Sequence, residues 1–167
     1  MELENFPAFK GLSGADIDAF IGACKLVEVP AGKRLITQDE RADHLLFVVE
    51  GKLKVLLATH RGEQEVAAFS APSVLGEIEL FGSERWSAGV VAETAVQAYA
   101  ISYSAFRERM EAGDISALRI VANFAKVLAQ RLELMNERVA TLFDQGAGPG
   151  VKELQDLKQK LYGEWSL

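Results

Sequence analysis

"GEIELFGSERWSAGV", residues 76–90, is the stretch on which the reading of this chain turns. Gly76 stands at the mouth of a short helical run carrying Glu77, Ile78, Glu79 and Leu80, and the run then enters a loop and a strand. Arg85, Trp86, Ser87 and Ala88 lie near its far end. A turn of helix with exposed backbone N–H groups and a nearby arginine is how a protein holds a phosphate. Here two carboxylates occupy the same few residues, and an indole lies beside the guanidinium. The segment therefore reads either as an anion pocket or as a pocket that has lost its anion.

The sequence on either side is built of strands. From Val27 to about Ser102 short apolar segments recur between turn signals. "VEVPAGKRLITQ" (27–38) carries the turn Pro30-Ala31-Gly32. "HLLFVVEGKLKVLLA" (44–58) reads as a hairpin reversing at Glu50-Gly51, with Leu53, Val55 and Leu57 alternating against Lys52, Lys54 and Leu56. "EVAAFSAPSVLG" (65–76) and "SAGVVAETAVQAYAIS" (87–102) continue the pattern. Short, evenly spaced strands rich in valine predict a sandwich or barrel. A single helical turn interrupting such a series marks a site on a loop.

Helices flank the strands. In "GLSGADIDAFIGACKL" (11–26) Ser13 is the N-cap, Asp16 completes a capping box, and Ile17, Phe20, Ile21 and Cys24 recur at helical spacing. Cys24 reads as a buried small hydrophobe rather than a reactive thiol, since its only basic neighbour in sequence is Lys25. "YSAFRERMEAG" (103–113) is a short helix closed by Gly113. The longest helical pattern runs over 114–144. Leu118, Val121, Ala125, Leu128, Leu132, Met135, Val139 and Leu142 follow spacings of three and four, an a/d seam over four heptads. Ile120, Phe124, Val127 and Leu134 form a second apolar stripe beside it. One stripe is expected to pack on the helix's own domain while the seam meets a second copy; the alternative is one helix buried broadly in its own domain. "GAGPG" (146–150) reads as a linker, within a break at 145–150, and "VKELQDLKQKLYGEWSL" (151–167) as an amphipathic tail that docks on its own domain or on a partner protein.

Composition narrows the function. The chain has 167 residues, 49% of them hydrophobic, enough for one domain with a real core. Its formal net charge of −6 disfavours non-specific nucleic-acid binding. No apolar run approaches a membrane span of roughly 18 residues. With one cysteine and an acidic N-terminus, a cytoplasmic location without membrane association is expected. His44 and His60 are the only histidines, so no metal site is expected. Glu77 and Glu79, two apart, point to different sides of a helix and make a poor acid/base pair. No enzyme is expected.

The order helix, antiparallel strands, a Gly-Glu helical turn, more strands and a long helix resembles the cyclic nucleotide-binding domain of bacterial catabolite-activator regulators, kinase regulatory subunits and gated channels. The likeness is carried by "VPAGKRLITQDERADHLLFVVEGKLKV" (29–55), "LGEIELF" (75–81) and "SAGVVAETAVQAYAISYSAFRERM" (87–110), and it extends over roughly residues 6–142. It implies a mainly β fold, an eight-stranded jelly-roll barrel with flanking helices, over residues 1–144 together with a long C-terminal dimerisation helix. It implies cAMP or another cyclic nucleotide as ligand, with Glu77 on the ribose 2′-hydroxyl and backbone N–H groups near Ile78, Glu79 and Leu80 facing the cyclic phosphate. In the family an arginine followed by a small residue then grips the phosphate. Aligned on Gly76-Glu77 and on Val90, Ala92 and Thr94, that arginine position is Trp86, with Ser87 and Ala88 at the small positions. Arg85 comes one residue early, Glu79 stands where the family prefers alanine or glycine, and Met135 and Asn136 stand where bacterial regulators offer hydroxyls to the base.

These departures have a size. Losing one partner of a buried charge-assisted pair costs roughly 2–5 kcal/mol. A carboxylate about 4 Å from a phosphate adds up to about 4 kcal/mol of repulsion at an effective dielectric of 20. Glu79 escapes this only by pointing outward. Arg85 rescues binding only if a local bulge shifts the loop. Trp86 stacks on a base or fills the vacant pocket itself. The expectation is a non-catalytic, stand-alone, dimeric regulatory module with an atypical phosphate cassette. The alternative is a ligand-independent scaffold whose tail recruits a protein. With 23 residues after Asp144, a helix-turn-helix and hence DNA binding are not expected.

Overall fold

A computed structural model describes residues 3, 6–60, 62–82 and 84–144; for 134, 135 and 137–144 it describes the backbone alone. The elements run α1 (Gly14–Ile21), β1 (Lys25–Val29), β2 (Arg34–Ile36), β3 (His44–Glu50), β4 (Lys52–Thr59), β5 (Gly62–Ser70), β6 (Ser73–Leu75), α2 (Glu77–Phe81), β7 (Gly89–Ala92), β8 (Val96–Ser102), α3 (Tyr103–Glu111) and α4 (Ile115–Asp144). The expected linker 145–150 and tail 151–167 lie outside the described residues.

The strands form two four-stranded antiparallel sheets, ordered β1-β8-β3-β6 and β2-β7-β4-β5. This is the expected jelly-roll architecture, mainly β with flanking helices. Strand β3, in the interior of the first sheet, is buried on both faces, which explains why "HLLFVV" reads as a continuous apolar run. Leu45, Phe47 and Val49 of β3 join the helix-side core, together with Ile17, Phe20, Phe106, Ile120 and Phe124. Leu46 and Val48 turn the other way, into the core between the sheets, with Leu53, Val90, Ala92, Val96, Ala98 and Ala100. On the helix side aromatic rings interlock: Phe47 lies 5.3 Å from Phe9, 5.4 Å from Phe20 and 6.3 Å from Phe124, centroid to centroid.

One sequence expectation is corrected. Glu50-Gly51 is not a hairpin turn, because β3 pairs with β6 and β8 while β4 pairs with β5 and β7. Alternation told which face each strand buries but not its partner. The chain instead crosses between sheets at Gly51, whose φ is 101°. A β-carbon there would lie 2.4 Å from the Ala95 carbonyl oxygen, so the crossing needs glycine. The true hairpin is β4–β5, closing where Thr59 meets Gly62.

The helix ends follow capping chemistry. Ser13 and Asp16 form the expected capping box on α1. That helix stops at Ile21, so Cys24 lies beyond it, with its thiol donating to the Phe20 carbonyl oxygen. Burial pushes the Cys24 thiol up to about 11, although Arg109 acts the other way. Arg109 is the basic neighbour that linear sequence did not reveal. The described residues up to Phe124 form one compact unit, and those from Ala125 to Asp144 belong to a second. In the first unit Ile120 and Phe124 are buried, while the seam residue Leu118 is 47% exposed and Val121 packs against the core. In the second, Ala125 and Leu132 are exposed and Leu128 is half-buried. The side chains of Met135, Val139 and Leu142 lie outside the described residues. Among the described residues no helix is long and apolar enough to cross a membrane.

Candidate functional site

Helix α2 starts from Gly76 in the left-handed region, with φ 91°. A β-carbon at Gly76 would sit 2.5 Å from the His44 carbonyl oxygen and 2.8 Å from the Tyr103 phenol oxygen. Backbone from β3 and a side chain from α3 thus press directly on the mouth of the turn, and only glycine fits. The Tyr103 hydroxyl donates to the Gly76 carbonyl at 2.9 Å, and Arg107 Nη2 donates to the Leu80 carbonyl at 2.9 Å. One face of α3 therefore clamps both ends of α2. Burial, followed by the charges of Glu79 and Glu77, pushes the Tyr103 phenol well above its ordinary range, so it remains a donor at any working pH.

Within α2, Leu80 is anchored in the core, and Ile78 is half exposed. Glu77 is 4% exposed. Glu79 does not point outward as repulsion from a phosphate would require. It is 6% exposed, and its Oε1 accepts from the Ser87 backbone N–H at 3.1 Å and from the Ser87 hydroxyl at 2.8 Å. A carboxylate taking two donors from one residue is a charge-assisted arrangement, stronger than a neutral pair.

The segment 84–86 is laced to the turn 39–42. Trp86 N–H donates to the Glu40 carbonyl, Asp39 N–H to the Trp86 carbonyl, and Ala42 N–H to the Glu84 carbonyl, each at 2.9 Å. Arg85 bridges Arg41 across this ribbon, and its Nη1 donates to the Asp39 carbonyl at 2.6 Å. Its guanidinium thus donates to the 39–41 turn. Trp86 is half-buried and packs against both cores, and Ala88 is half-buried behind Ser87. Asn136 is exposed on α4, in the other compact unit.

Sequence reasoning missed Tyr103 and Arg107. Their spacing of four puts them on one face of α3, a signal legible once the helix is assigned. What they grip was not legible, because both acceptors are backbone carbonyls far away in the chain.

Comparison with known proteins agrees with this architecture. Residues 26–112 match the family model for the cyclic nucleotide-binding domain, and the chain belongs to that family. It is 31% identical over 129 residues to the cAMP-activated global transcriptional regulator CRP of Escherichia coli O6:H1, over 75% of this chain and 59% of that protein. The chain thus spans less than two thirds of the length of that curated relative. Among solved structures it resembles the Thermus thermophilus catabolite activator protein, with a TM-score of 0.71 and 23% identity over 81% of this chain and 62% of that one. It also resembles the regulatory subunit of a cAMP-independent protein kinase A from Trypanosoma brucei, with a TM-score of 0.63 and 26% identity over 77% of this chain and 44% of that one.

Proposed function

We propose that the protein is a non-catalytic regulatory module of the cyclic nucleotide-binding family whose phosphate position is filled from within by Glu79. The observation that carries this reading is the pair of hydrogen bonds from Ser87 to Glu79. In the family's pattern Ser87 follows the phosphate-gripping position. Here its two donors already serve a buried carboxylate, and the gripping position holds Trp86. An incoming cyclic phosphate has to displace Glu79, meet it as a like charge, and do without a guanidinium. The missing guanidinium costs roughly 2–5 kcal/mol and the like charge up to about 4 kcal/mol. The kinase regulatory subunit named above is described as cAMP-independent, so a scaffold of this type does not require that ligand. Titration of the protein with cAMP, cGMP and a cyclic dinucleotide, followed by calorimetry, is expected to show no saturation below about 0.1 mM. A low-micromolar Kd for any of the three overturns the reading.

The exposed seam residues Leu118 and Leu132, with their apolar neighbours at heptad spacing, support a homodimer formed through α4. Light scattering is expected to give twice the monomer mass for the wild type and the monomer mass for Leu118→Glu/Leu132→Glu. A monomeric wild type removes the dimer.

A further inference from the structure

We infer that the end of the sandwich walled by Trp86 is a binding site for a small, flat ring acid, separate from the Glu79–Ser87 contact. A cavity of about 510 Å³ opens there, within the range of ordinary small-ligand sites. Strand register explains it. Lys25 pairs with Ala100, Ala100 with Leu46, and Ser102 with His44, so these residues share one face of the first sheet, the face toward the second. The second sheet contributes Leu35 and Ile36 to the lining, and α3 contributes Ala105. Alanine at 100 and 105 leaves open the space that larger side chains would close.

The lining defines the ligand. The lining is mixed: Val27, Leu35, Ile36, Leu46 and Ala100 supply its apolar part, Lys25, Asp43, His44 and Ser102 its polar part, and one wall is the half-buried Trp86 indole, a surface on which a planar ring stacks. The rim carries charge. Asp43 is engaged by His44 Nδ1. Lys25, also on the rim, has no carboxylate partner among the described residues. A slot of mixed lining with an aromatic wall, and with an ammonium that has no carboxylate partner among the described residues, suits an aromatic ring with a carboxylate at one end. The cavity shares Trp86 with the cassette, but neither Glu79 nor Ser87 lines it.

The probes are 2-naphthoate and the neutral naphthalene-2-carboxamide, titrated into the full chain by calorimetry. Fluorescence is read in a Trp165→Phe background, which leaves Trp86 as the only indole. The naphthoate is expected to bind saturably below 1 mM with quenching of Trp86, on the order of ligand affinities for small pockets. The carboxamide is expected to bind about 5-fold more weakly, as does naphthoate to Lys25→Gln, because a rim charge contributes up to about 1 kcal/mol. Ala100→Leu should abolish binding by filling the cavity. Ala105→Leu, on half-exposed α3, serves the same end if the first variant does not fold. Flat titrations overturn the inference, as does binding indifferent to both Lys25→Gln and Ala105→Leu.

Discussion

The two faces of the sheet β1-β8-β3-β6 are built from the same strands to different ends. Toward the helices it presents Phe47 among the rings of Phe9, Phe20 and Phe124, with Phe47 fully buried. Toward the second sheet it presents Ala98, packed in the inter-sheet core, and Ala100, which lines the cavity beside Trp86. The helix face is packed for stability, and the inter-sheet face keeps room beside the cassette. Neighbouring residues of one strand thus serve unlike purposes, as period-two geometry allows.

The contrast can be broken at adjacent positions. Phe47→Ala is expected to cause the largest loss, about 3–5 kcal/mol, because the rings of Phe6, Phe9, Phe20 and Phe124 around it cannot readily collapse into the void. Leu46→Ala, one residue away but bordering the cavity, should cost nearer about 2 kcal/mol, since the site already has open space beside it. Urea midpoints at fixed m-value measure both; equal losses would erase the distinction between the faces.

A smaller effect sharpens the joint between α3 and α4. Asp114 Oδ1 accepts from the Ser116 N–H at 2.8 Å, and its Oδ2 accepts from Arg109 Nε at 2.6 Å. Partial burial acts to raise its pKa, but the Arg109 hydrogen bond and the amides of Ser116 and Ala117 outweigh it and hold the carboxyl below the ordinary range. With the folded pKa depressed, the stabilisation is present above the unfolded carboxylate's pKa of roughly 4 and is lost as pH falls through the lower folded value. Asp114→Ala should therefore cost about 1 kcal/mol at pH 7, as loss of a helix cap does. The gap between variant and wild type should narrow on acidification below about pH 4. A gap that widens there would contradict the assignment.

Much of this was legible in the sequence, and the gaps have physical causes. The capping box at Ser13 and Asp16, the αL glycine opening α2 and the continuous burial of β3 follow from local chemistry. Sheet partnership at Gly51 did not, because alternation constrains faces and is silent on neighbours. Within the site, the displacement of the arginine was readable from the spacing of Gly76, Trp86 and Val90. The direction of Glu79 was not, since repulsion from a ligand predicts outward pointing while the unserved donors of Ser87 draw it in. Local sequence held both forces without ranking them. The position of Arg85 depended on the 39–42 turn, far away in the chain.

The most direct test is to empty the cassette and restore its cation. Glu79→Gly/Trp86→Arg frees the Ser87 donors and returns a guanidinium to the family's position. Calorimetric titration with cAMP should then reveal a Kd at least about 30-fold tighter than that of the wild type, the lower bound for one recovered charge-assisted pair. A correctly folded double variant that binds cAMP no better than the wild type would contradict the claim that Glu79 stands in the phosphate's place.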